Sequence, residues 1–172
     1  MRVTFALASA AAALAFATAA SAAPVTLAPV SFSPEFQSQL DDELGAREGV
    51  ILTNAVNDAV ERALIARGAT IGAGAPLTVE ISIIDADPNR PTMQQVMDTP
   101  GLDPAASVSI GGATLHAVLR GADGQVVSEV DHRRYNYSIQ DLDGAPTTWT
   151  EARLAIRQFA NKIADAYVAH AR

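Results

Sequence analysis

The 172-residue chain has no cysteine. That absence excludes disulfides, Cys-ligated zinc and thiol catalysis, and it removes the residue that would accept a lipid, so no lipid anchor is expected. Basic residues are also scarce, with 12 Lys and Arg against 19 Asp and Glu, for a formal net charge of −7. An acidic domain repels phosphate backbones, so nucleic acid is not an expected partner, and no polybasic patch offers itself to a membrane. Walker and dinucleotide glycine patterns are missing, as is the G-x-S-x-G nucleophile elbow of α/β-hydrolases. After the first 22 residues no apolar run is long enough to span a bilayer.

The N-terminus does carry a signal. Met1-Arg2 is a short positive start, Val3 to Phe16 is apolar, and Ala20-Ser21-Ala22 supplies small side chains for cleavage. This is the order of a secretory signal peptide, expected over residues 1–22 and cut after Ala22. Removal of Arg2 makes the mature chain one unit more negative. Residues 23–172 then form a single domain of about 150 residues, soluble and stabilised by its core alone. The expected location is periplasmic or secreted.

Periodicity gives the order β-α-β-β-β-α. Val25 to Phe32 reads as a first strand, confined to an edge or a bulge by Pro29. Ser33-Pro34-Glu35 opens a helix, with a break expected near Gly45 and Gly49. The stripe Ile51, Leu52, Ala55, Val56, Ala59, Ala63 and Leu64 predicts an amphipathic helix ended by Gly68. Leu77 to Ile83 alternates strictly and predicts a half-buried strand. Ser107 to Arg120 predicts another, whose phase slip calls for a bulge at Gly111-Gly112. Asp123-Gly124 predicts a two-residue type I′ hairpin, which sets His116 opposite Asp131 and Thr114 opposite Arg133. Thr148 to Glu151 reads as a capping box before a last helix with Trp149 and Phe159 in its core stripe. The fold class is α+β: a two-layer sandwich with a mainly antiparallel sheet of about four strands and two main helices on one face.

The unusual segment is Asp85 to Ala106, long for a connection and stiffened by Pro88, Pro91, Pro100 and Pro104. It is expected to be an ordered flap, with Thr92 and Gln95 capping a short helix and Met93, Val96, Met97 and Leu102 buried beneath it. Within it Arg90, Asp85, Asp87 and Asn89 are the candidate binding residues. The Arg90 fork suits a carboxylate, from Asp85, Asp87 or a ligand. Asp85-x-Asp87-x-Asn89 opens like a calcium loop, but Arg90 stands at the sixth position and Val96 at the twelfth, so no metal is expected. No pair of the three histidines has zinc spacing. His116 with Asp131 is an alternative catalytic pair for a hydrolase, although a cross-strand charge pair explains it more simply.

Pro88-Asn89-Arg90-Pro91-Thr92, Pro100-Gly101-Leu102 and Ser109-Ile110-Gly111-Gly112-Ala113 resemble a group of small uncharacterised secreted bacterial proteins. Arg47-Glu48-Gly49 and Thr148-Trp149 fit the same pattern. The layout is also loosely similar to periplasmic envelope accessory modules. The resemblance implies no catalytic residues and no cofactor. The function expected is a non-enzymatic periplasmic or secreted module binding a protein or cell-envelope component. The alternatives are a small-molecule binder with the flap over a pocket, and a hydrolase using His116 and Asp131.

Overall fold

The alternation of Leu77 to Ile83 produces the central strand, β3 (Leu77–Asp87). Leu77, Val79, Ile81 and Ile83 are buried on its inner face. The strand runs further than its alternation, because the register shifts between Ile83 and Asp85. This bulge reverses the phase: Ala86 becomes buried, while Asp85 and Asp87 turn to the opposite, open face. In this computed structural model residues 24–142 and 146–170 are described, and the expected signal peptide at 1–22 lies outside them.

The single first strand expected at Val25–Phe32 is two short ones, β1 (Val25–Leu27) and β2 (Ser31–Phe32), each parallel to β3. Pro29 has no N–H to donate, so pairing lapses around it and resumes at Ser31, continuing to Ser33, whose amide reaches the Ile83 carbonyl at 3.0 Å. On the other side of β3, β4 (Gly112–Arg120) and β5 (Val126–Tyr135) follow antiparallel. The sheet therefore has five strands, ordered β1-β3-β4-β5 with β2 also on β3. The fold is α+β, a mainly antiparallel sheet layered against helices.

Two expectations about the hairpin are corrected. Strand β4 starts at Gly112, so no bulge at Gly111-Gly112 rephases Ser107–Arg120; Ser107 to Gly111 belong to the flap instead. The turn is also not type I′, since Gly124 alone has a positive φ, 77°. Asp123 keeps a negative φ, and its carboxylate accepts the Gln125 amide at 3.1 Å. A loop one residue longer is closed by the Gly121 amide on the Gln125 carbonyl, and an irregularity beside Arg120 restores the register. His116 thus faces Asp131 and Thr114 faces Arg133, as the simpler turn also implied.

Helix α1 (Pro34–Gln39) starts on Ser33, whose hydroxyl accepts the Phe36 amide. A π-helical turn, Leu40–Leu44, follows and ends at Gly45 with φ 96°. The expected break falls there and not at Gly49, which lies inside α2 (Ala46–Ala66) against Leu40 and Phe32. Helix α2 buries Leu52, Val56, Val60 and Leu64. The last helix, α4 (Thr150–His170), packs across β4 and β5 and against α2, burying Ile156, Phe159, Ile163 and Tyr167. Those side chains join the inner face of the sheet in one hydrophobic cluster that includes Trp149. Burial of this cluster, at roughly 25 cal/mol per Å² of apolar surface, is the main favourable term in a chain with no crosslinks.

Candidate functional site

The flap leaves the sheet at the end of β3 and returns at β4. Its root is organised by Asn89, which is 0% exposed. The Asn89 amide donates to the Thr148 carbonyl at 2.7 Å, and its carbonyl accepts the Ser109 amide at 2.9 Å. Its side-chain nitrogen donates to the Ser109 carbonyl at 3.2 Å, while its side-chain oxygen accepts the Glu151 amide at 2.8 Å. The last bond satisfies an open N–H in the first turn of α4. This corrects the capping box expected from Thr148 and Glu151. Asn89 caps the helix from 62 residues upstream, while the Glu151 carboxylate pairs with Arg134 at 2.6 Å.

Glycine at position 111 follows from this clip, since a Cβ there would lie 2.6 Å from the Asn89 amide group. Gly112 lies beneath the Tyr135 ring and leaves no space for a Cβ either. The Ser109 hydroxyl bonds the Pro88 carbonyl at 2.5 Å, and the Trp149 indole N–H donates to Glu48 at 2.6 Å. The segments around Glu48, Asn89, Ser109 and Trp149 therefore converge on one end of the molecule.

Arg90 does not meet a carboxylate. Its guanidinium donates to the carbonyls of Ala105, Pro104 and Pro146, tying both limbs of the flap to the approach to α4. Planar N–H groups in a fixed fork suit carbonyl oxygens as well as carboxylates, which is why residue type alone did not separate them. Asp103 closes the returning limb by accepting the amides of Ala105 and Ala106 at 2.6 and 2.8 Å, which holds its carboxyl below the usual range.

Above this root, helix α3 (Met93–Asp98) has the expected Thr92–Gln95 capping box but buries none of its residues. Met93 and Met97 are 59% and 68% exposed, against the expectation that they anchor the flap. Val96 and Leu102 are half-buried. Between the limbs lies a cleft of about 350 Å³, lined chiefly by Pro88, Pro91, Leu102, Val108 and Ile110, with Asp87 at its edge.

Asp85 and Asp87 part company with Asn89 at this edge. Asp85 accepts the Tyr135 hydroxyl at 2.5 Å, beside Thr114 at 3.3 Å from the same hydroxyl, and the Arg133 guanidinium lies 4.6 Å above the Tyr135 ring. Burial, then Asp85, raises the Tyr135 pKa well above the ordinary tyrosine value. Burial first, and Asp85 second, also raises Asp87. Thr114 was expected opposite Arg133, but the meeting of Asp85 with Tyr135 beside them was missed, because the bulge at Ile84 that brings Asp85 onto their face has no local sequence mark.

The His116 and Asp131 pair forms, with Nδ1 2.8 Å from Oδ1, on the open face, where the Asp131 side chain is 83% exposed. Ser82 is the neighbour of His116 on β3, but its hydroxyl pairs with Ser31 at 2.7 Å. Asp131, His116 and Ser82 therefore lie in one row across three strands, with the Ser82 hydroxyl engaged by Ser31. On the covered face, His132 has its Nε2 buried without a hydrogen-bond partner among the described residues, and burial, then Lys162, lowers its pKa. No group of three or more metal-ligating side chains occurs among the described residues, and no described helix is long and apolar enough to cross a membrane.

No curated protein matches the sequence. A PelC dodecamer from Paraburkholderia phytofirmans is similar in structure, with a TM-score of 0.48 and 12% identity over 84% of this chain and 86% of that one. A minor lipoprotein from Acinetobacter baumannii gives 0.42 and 10% over 87% and 94%. A Xanthomonas campestris protein of the DUF330 family gives 0.41 and 16% over 85% and 82%. The model of one family matches residues 8–163, so the chain belongs to the family described as protein of unknown function, DUF3313.

Proposed function

We propose that the protein is a non-enzymatic accessory module of the periplasm or the extracellular space, and that it binds a protein or cell-envelope component through the flap end. The carrying observation is the pairing of a rigid root with an apolar, exposed crown. Asn89 and Arg90 spend their hydrogen bonds inside the chain, holding open a cleft whose walls are Pro88, Pro91, Leu102, Val108 and Ile110. Surfaces already held in their bound shape lose less entropy on association. The signal-peptide pattern of residues 1–22 supports the location.

In this reading the candidate residues divide by role. Asn89 and Arg90 position the flap, while Asp87 and Ile110 meet the partner at the cleft edge. The test is crosslinked co-purification of the tagged protein from its own envelope, beside Ile110→Asp, which alters a side chain 45% exposed. A partner captured by the parent and lost from a folded Ile110→Asp supports the reading. Equal capture by both removes the cleft from the interface.

The cleft volume favours a second reading, since about 350 Å³ lies within the range of small-molecule sites. Native mass spectrometry separates the two: an added mass that Ile110→Asp abolishes favours a small ligand.

A further inference from the structure

The described arginines divide sharply. Arg67 pairs with Asp165, Arg120 with Glu80 and Arg134 with Glu151, while Arg90 holds carbonyls and Arg133 lies over Tyr135. Arg47, Arg62, Arg153 and Arg157 have neither an ion pair nor a side-chain hydrogen bond among the described residues. Arg62, Arg153 and Arg157 line a groove between α2 and α4, and Arg47 joins Arg153 in a cavity at its flap end, whose wall also includes Glu48, Pro91, Thr92 and Met93.

Three cavities of about 330, 80 and 270 Å³ follow this groove. Arg47 and Arg153 lie at its flap end, and Arg62 and Arg157 further along. Arg47 to Arg62 spans about 22 Å of helix. The floor beside Arg62 and Arg157 is small, with Ala59, Ala63 and Ala160, which permits close approach by another backbone. Arg153 and Arg157 are four residues apart on one helix, an arrangement of like charges that destabilises a free helix slightly. Asp58 is the one carboxylate among the residues lining the middle cavity, and it forms no ion pair with Arg62.

We infer that this groove docks an acidic helical segment of a partner protein, its carboxylates spaced to meet the four guanidinium groups. A guanidinium presents paired donors that match a carboxylate. Helical spacing suits the groove because the two helices that form it place their own arginines at helical intervals. The charge of the whole chain, −7, opposes long polyanions such as nucleic acid. A short acidic helix lies within about 8 Å of the arginines, where their local field is not screened away. A lipid surface fits less well, because the floor between α2 and α4 is lined by alanines and by Ile156, which is 2% exposed.

The test is fluorescence anisotropy of the protein with a dye-labelled Glu/Ala helical peptide carrying glutamates four residues apart, at low salt. Saturable binding is expected, weakened about tenfold or more by Arg153→Glu with Arg157→Glu, and weakened by added salt. The control Arg120→Glu alters a paired arginine on the open face and leaves binding unchanged. Circular dichroism melts establish that each variant is folded. No saturation up to ~1 mM peptide, or equal binding by the double variant, overturns the inference. Tighter binding to phosphatidylglycerol vesicles than to the peptide overturns it in favour of lipid. Because peptide binding and envelope capture are read separately, with Arg153 and Arg157 altered in one variant and Ile110 in another, failure of this site and failure of the flap reading are distinguishable.

Discussion

The root and crown of the flap are neighbours in sequence and opposites in physics. At the root, Asn89 is fully buried and makes four hydrogen bonds, two to Ser109 across the flap and two to Thr148 and Glu151 at the start of α4. At the crown, α3 buries nothing and turns two methionines outward. A connection with no function needs neither feature, since long insertions are tolerated at modest entropic cost. The contrast is what the proposed function rests on: a flap held in place at its root with its crown left open.

The strongest way to break that contrast is Asn89→Ala. It removes the distant helix cap and leaves the Ser109 carbonyl and the Glu151 amide without their partner, at an expected loss of about 3 kcal/mol in urea unfolding. A loss below about 1 kcal/mol would mean that the root is not the anchor. Gly111→Ala presses a methyl group against Asn89 and is expected to cost about 2 kcal/mol by the same measurement.

Asp87→Asn sharpens the boundary between the two regions through its pH dependence. A raised native pKa means that the folded state holds the proton more tightly, so Asp87 favours folding at low pH and opposes it as pH rises through the native value. The Asn variant is therefore expected to melt at a higher temperature near neutrality, with the gain vanishing below the ordinary value of 3.8. The smallest effect is expected at the crown. Met93→Gln with Met97→Gln should change stability by no more than about 0.5 kcal/mol while weakening partner capture, because the side chains already face water. A large loss of stability would show that α3 is packed after all.

The α+β class, the strand β3 and the hairpin register were legible because alternation and turn chemistry are local. His116 met Asp131 even though the turn type differed, since a longer loop and an added residue beside it compensate. The Thr92–Gln95 cap was legible for the same reason. Asn89 as a helix cap was not, because the helix it caps begins 62 residues later and offers its own Thr148 as a decoy. Met93 and Met97 were misread because apolarity alone carries no direction in a short helix. The arginine groove was equally hidden: which arginines lack an acid depends on which helices become neighbours.

The remote cap also binds two distant events into one. Since Asn89 supplies an acceptor for the Glu151 amide and donates to Thr148, lifting the flap and fraying the first turn of α4 are the same local opening. The amides of Asn89 and Glu151 belong to one foldon, and in native-state hydrogen exchange they should share a single opening free energy. A partner that clasps the flap would then slow exchange at the start of the last helix without touching it.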